Sequence, residues 1–201
     1  MIGLIAKKVG MSRTFLESGE AVPVTYLQVQ PNVVVRTKSK EKDGYDAVVL
    51  GIEPKEWKTR KGKTLTRFKE QKEFRVESLD GYDAGTELSV DVLPENAMVT
   101  VKGVTKGRGF QGVVKRHGFR GGPRTHGSHF KREPGSVGMR TSPGRIFRGH
   151  RMAGHMGNDN MTLKKRSVVV SDAMRNMIAV KGPVPGPCGA HVTLILESLP
   201  S

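Results

Sequence analysis

Five of the six histidines in this 201-residue chain lie between His117 and His155, two of them as His126 and His129 in "HGSH" and two as His150 and His155 in "HRMAGH". Imidazoles at such spacings are the raw material of a metal site or of general acid–base attack on a phosphodiester. Both chemistries need further groups: a zinc site takes additional Cys, His or carboxylate donors, and a catalytic histidine takes an acid that orients it. Between residues 101 and 166 the acids are Glu133 and Asp159, and the single cysteine, Cys188, is remote in sequence. The expectation is no catalytic residue, no metal and no cofactor, with a basic histidine-dependent nuclease or metal enzyme as the rival reading. "GRGFQG", residues 107–112, has the G-x-G-x-x-G spacing of a dinucleotide loop. Such a loop opens a helix and has an acid about 20 residues on. Here "VVKRHGFRGGP" breaks with glycines, and the next acid, Glu133, sits in a basic run.

The chemistry this stretch does support is contact with a polyanion. The net charge is +15, and residues 101–166 hold 16 Lys and Arg against two acids, while the rest of the chain holds 18 against 17. Between residues 107 and 151 the cations are nine Arg and two Lys; elsewhere Lys predominates. The guanidinium fork grips phosphate bidentately and stacks on bases, so the bias points to specific contact rather than to mere solubility, with nucleic acid and a membrane surface both fitting the charge. The residues expected to make that contact, and to bind RNA where the polyanion is RNA, are Lys106, Arg108, Lys115, Arg116, Arg120, Arg124, His126, His129, Lys131, Arg132, Arg140, Arg145, Arg148, His150, Arg151 and His155. Phe110, Phe119, Phe130 and Phe147 interleave them. They suit stacking on unpaired bases, although Phe110 and Phe119 are expected instead to pin the root of the segment. A double-stranded DNA binder would need a groove-reading helix, which a Gly- and Pro-rich stretch does not supply.

Something more ordered must carry this segment, because from residue 120 to 160 only eight of 41 residues are apolar, against 36% of the whole chain. Burial on that scale does not offset the entropy of ordering. On either side, short β-branched runs alternate with turn residues. "AVPVTYLQV" (21–29), "NVVVRTK" (32–38), "YDAVVLGI" (45–52), "TELSVDVL" (86–93) and "AMVTVKGVT" (97–105) read as strands before it, and "RSVVVSD" (166–172), "NMIAVKG" (176–182) and "HVTLILES" (191–198) after it. The predicted fold is mainly β: a small closed antiparallel β-barrel with a small α or irregular insertion over about 54–75 and a long basic loop extension. Residues 1–115 and 165–201 are expected to form the globular barrel domain, and 116–164 the extended basic loop. Arms of ~17 residues at ~3.3–3.6 Å each would carry the loop tip ~55 Å from its base. Six residues precede Lys7, too few for a signal peptide, and no run approaches the ~20 apolar residues of a membrane span. A cytoplasmic protein with no membrane partner and no small-molecule substrate is expected. The lone cysteine, which allows no intramolecular disulfide, fits a reducing compartment.

Several stretches match a known pattern in order: "MIGLIAKKVGMSRTF", "VTKGRGFQGVVKRHGF", "THGS", "PGSVG", "TSPGRIFRGHRMAGHMGN" and "MIAVKGPVPGP". From residue 1 to about residue 187 the chain resembles the bacterial large-subunit ribosomal protein L-three family. The resemblance implies a barrel on the surface of the large subunit and a loop threading into large-subunit ribosomal RNA to end near the peptidyl transferase centre. It also implies a role early in subunit assembly, with neighbouring large-subunit ribosomal proteins as further partners. The loop matches over residues 125–158, and the tip near the peptidyl transferase centre falls on Val137, Gly138, Met139, Arg140, Thr141, Ser142 and Pro143. Many bacterial members read G-Q-N-Q-T-P-G at the tip, and in some the glutamine before the Thr-Pro step is methylated. This chain reads "GMRTSPG", so Thr141 stands at that glutamine and has no amide to methylate.

Overall fold

The computed structural model describes residues 3–60, 62 and 64–198. The chain divides into two compact units, residues 1–104 with 160–201, and Thr105–Asp159. Within the second unit, residues 105–117 pair back onto the end of the basic segment. In the first unit the elements in chain order are β1 (Gly3–Phe15), β2 (Ala21–Gln28), β3 (Asn32–Lys38), the short helix α1 (Lys40–Asp43), β4 (Ala47–Lys58), β5 (Thr64–Arg75), β6 (Glu87–Leu88) and β7 (Met98–Val104). The second unit contributes β8 (Phe110–Gln111), α2 (Val113–His117) and β9 (Gly154–His155), and the first unit resumes with β10 (Asn160–Asp172), β11 (Met177–Lys181) and β12 (His191–Ser198).

Mainly β architecture is what the sequence predicts. Six strands pair in a ring, all antiparallel, in the order β1, β12, β7, β10, β11, β2 and back to β1. Each strand therefore has two hydrogen-bonded neighbours, and the ring satisfies edges that would otherwise template aggregation. The strands feed one core in which Leu4, Leu27, Val99, Val101, Val168, Ile178 and Leu194 pack together. A second sheet, in the order β5, β4, β3, β6, packs Val34, Val48, Leu50, Ile52 and Phe74 with Ile5. β1 thus buries both faces over "GLIA", Leu4 and Ala6 in one core and Ile5 in the other. Asn32, fully buried at the start of β3, ties the two together. The Ile5 N–H donates to its Oδ1 at 2.8 Å, and its Nδ2 donates to the Ile5 carbonyl at 3.1 Å and the Gln30 carbonyl at 2.8 Å. β2 first meets β1 at Lys7, so at Ile5 the amide side chain supplies the partner that β2 does not reach.

Two expectations are corrected. The stretch over 54–75, expected to be α or irregular, is the outer part of a long antiparallel hairpin whose register runs from Ala47↔Arg75 to Lys58↔Thr64. Its strands lack alternation because neither face is covered there: from Pro54 to Lys58 and from Thr64 to Arg67 every residue is exposed. "TELSVDVL" forms only the two-residue β6, followed by a 3-10 turn over Val90–Val92. That turn places Val90 and Leu93, three apart, in the same core, which an extended strand would not do.

The hairpin is laced by ion pairs. Glu53, with φ of 51°, accepts from Lys69 Nζ at 2.6 Å and lies 3.7 Å from His191 Nε2 and 3.9 Å from Lys7 Nζ. The hydrogen bond from Lys69 is the main cause that holds the Glu53 carboxyl below its ordinary value of 4.5, and the hydrogen bond from Lys38, at 2.5 Å, does the same for Glu73. A carboxylate with a lowered folded pKa stabilises the fold above its unfolded pKa and loses that contribution as pH falls through the folded value. The urea midpoint is accordingly expected to fall on acidification below about pH 4.5, less steeply in a Glu53→Gln, Glu73→Gln variant. Parallel curves for the two proteins would refute the assignment.

Candidate functional site

The second unit is held by backbone, with little core. Val113 is its one buried residue. "GRGFQG" leads into α2, five residues long, which Gly118 ends in the left-handed region at φ 72°. The helix that a dinucleotide loop would require is therefore only a single turn here.

Residues 105–117 zip antiparallel against 152–159. The Thr105 N–H donates to the Asp159 carbonyl at 2.9 Å, Arg108 N–H to Met156 at 2.8 Å, and Met156 N–H to Gly109 at 3.0 Å. β8 and β9 continue the pairing with Phe110↔His155 and Gln111↔Gly154. Beyond them Arg116 Nη1 donates to the Met152 carbonyl at 2.8 Å, and His117 Nε2 lies 2.9 Å from the same oxygen. Gly157 is needed for this closeness: its φ is 75°, and a Cβ there would overlap the Lys106 carbonyl. Further out, the Gly122 N–H donates to the Phe130 carbonyl at 3.0 Å and closes a small loop that carries Arg124, His126 and His129. Between residues 118 and 153 there is no helix or strand.

All sixteen residues expected to bind RNA are exposed, from Lys106 and Arg108 at the root, through Lys115, Arg116, Arg120, Arg124, His126, His129, Lys131 and Arg132, to Arg140, Arg145, Arg148, His150, Arg151 and His155. At the tip Val137 is half-buried and Met139 is 67% exposed; the Ser142–Pro143 peptide bond is cis. Phe110, expected to be a packed root residue, leaves 67% of its surface open and meets the His155 ring edge-on at 5.9 Å. Phe119 is half-buried beside His117, with ring centroids 6.1 Å apart. No hydrogen bond or ring contact joins the two histidine pairs among the described residues, and no group of three or more His, Cys, Asp or Glu there comes together as a metal site. The metal-enzyme alternative finds no donor set among them. His117 stands outside both histidine pairs, in the last turn of α2 just before Gly118.

The charge is as segregated as the fold. Residues 105–159 carry twelve Lys and Arg against Glu133 and Asp159. Neither acid forms an ion pair among the described residues. Among the described residues no helix is long and apolar enough to cross a membrane.

A family model described as Ribosomal protein L3 matches residues 86–172, spanning the whole second unit with β7 and β10 on either side. Similarity to curated relatives extends further. The Large ribosomal subunit protein uL3 of Pelotomaculum thermopropionicum is 44% identical over 200 residues, covering 96% of this chain and 95% of the relative. The chain belongs to the ribosomal protein L3 family. The same-named protein of Fervidobacterium nodosum is 45% identical over 199 residues, covering 95% of this chain and 96% of its own. That of Bacillus cereus (strain B4264) is 42% identical over 193 residues, covering 92% and 91%. For this member of the L3 family the likeness therefore includes both units, the ring and the basic segment alike.

Proposed function

We propose that this chain is a structural, non-enzymatic constituent of the large ribosomal subunit that binds large-subunit ribosomal RNA and supports subunit assembly. In this reading the ring is a small closed barrel, set among neighbouring ribosomal proteins. The segment over 105–159 enters the RNA and carries its tip, Val137 to Pro143, toward the peptidyl transferase centre. Arg140, Arg145, Arg148 and Arg151 bridge phosphates that would otherwise repel one another, and His126, His129, His150 and His155 serve as neutral hydrogen-bonding groups.

The observation that carries the proposal is a compact unit with twelve cations, two acids and one buried residue. Such a unit lacks the core to hold one conformation alone, and a polyanion supplies what the core does not. The family names borne by the relatives point the same way. Limited proteolysis of the purified protein tests this. Cuts are expected between Arg116 and Arg166 in the free protein, suppressed by large-subunit ribosomal RNA. A segment already resistant without RNA would mean that it orders by itself, and coupled ordering would have to be abandoned.

A further inference from the structure

The outer half of the hairpin β4–β5 is the other place where cations gather. Residues 54–75 hold nine Lys and Arg against three acids, Glu56, Glu70 and Glu73. Two of the three are neutralised within the first unit, Glu70 by Lys72 at 3.1 Å and Glu73 by Lys38 at 2.5 Å. Lys55, Lys58, Arg60 and Arg67 enter no ion pair among the described residues. Directly across the hairpin from each other sit Trp57, 57% exposed, and Leu65, 55% exposed. A cleft here is lined by Trp57, Phe68, Lys55 and Arg67, with the Glu53–Lys69 pair beside them. Phe68 is fixed from behind: a Cβ on Gly51 would lie 2.5 Å from its ring, so the absence of that side chain is what lets the ring settle.

Trp57, opposite Leu65 and 57% exposed, is too open to serve as core. An open indole beside a second aromatic ring, rimmed by unpaired cations, has the composition of a stacking platform for single-stranded nucleic acid. A protein groove would be expected to carry fewer lysines at its centre.

We propose that this cleft is a second RNA contact, in which an unpaired nucleotide stacks on Trp57 against Phe68 while Lys55 and Arg67 take the flanking phosphates. The proposal rests on the reading of the chain as an RNA-binding protein, but not on the segment over 105–159.

Trp57 is the only tryptophan in the chain, so its emission reports on this cleft alone. The experiment titrates the full-length protein with an end-labelled, unstructured oligouridylate and follows the anisotropy of the label and the emission of Trp57 together. Saturable quenching in step with anisotropy is expected, with weaker quenching by a duplex of the same length. Trp57→Ala is expected to weaken oligouridylate binding roughly 5- to 150-fold, the range of one lost base stack, and Trp57→Phe to restore most of it. Binding seen by anisotropy with unchanged emission would overturn the cleft proposal and leave the RNA reading standing. No response in either signal would overturn both. Emission that ignores RNA but shifts on adding other large-subunit proteins would make the cleft a protein-docking site and also overturn the proposal.

Discussion

Raising monovalent salt about fourfold, from ~50 to ~200 mM, is expected to weaken binding to large-subunit ribosomal RNA by about 10³- to 10⁵-fold. The reasoning starts from sixteen exposed cationic or histidine side chains in and around a unit with almost no apolar burial. If ~8–10 of its cations neutralise phosphates, their condensed counterions are released on binding, and the log–log slope against salt is roughly −6 to −9. Replacing Arg145 and Arg148 by Ala removes two such contacts and is expected to make the slope shallower by about 2 while the ring stays folded. Filter binding across a salt series, with circular dichroism on the variant, reads both. A nearly flat slope, or a double variant that unfolds, would sink the account in which the segment works by charge neutralisation.

Asn32→Ala is expected to cost about 3–5 kcal/mol of stability, the largest loss foreseen for a single side chain here. The substitution deletes three hydrogen bonds and leaves the N–H and carbonyl of Ile5 without a side-chain partner in a dry interior. Each lost bond contributes about 0.5–1.5 kcal/mol, and each buried orphan costs about 1–3 kcal/mol. Thr25→Val is the natural control: it removes one buried bond, from Oγ1 to the Gly182 carbonyl at 2.7 Å, and is expected to cost about 1–2 kcal/mol. Urea unfolding of the three proteins compares them. A loss for Asn32→Ala no larger than that for Thr25→Val would show that water reaches Ile5 and that the bridge between the two cores is dispensable.

The parts of this fold that were legible in sequence are short apolar runs punctuated by turn residues. β2, β3, β7, β11 and β12 alternate, or run as short β-branched stretches between turn residues, and each was found within a residue or two. β1 did not stand out, because its short apolar start runs into Lys7 and Lys8 with no turn residues to mark a strand, and its burial is split, Ile5 in one core and Leu4 and Ala6 in another. The outer hairpin was hidden for the opposite reason, since neither face of Lys55–Trp57 or Leu65–Arg67 is covered.

At the candidate site the charge, the arginine bias and the exposure of the cations could be read from composition. The pairing of residues 105–117 with 152–159 could not. It is made by main-chain groups and by Gly157 and Gly154 yielding room to the Lys106 carbonyl and the Arg116 guanidinium, and glycines tolerate many other conformations equally well.

The pairing of β1 with β12 has a consequence for how the chain is made. Gly3 meets Ile195 and Lys7 meets His191, so β1 leaves a translating ribosome long before the partner it pairs with, β12. Every arginine between residues 105 and 159 is synthesised before the ring has a means to close. During that interval β1 offers one unpaired edge, the kind of surface that invites wrong partners, and contacts so distant in sequence form slowly. The nascent protein thus exposes its basic segment before its ring can close, an order of events set by topology.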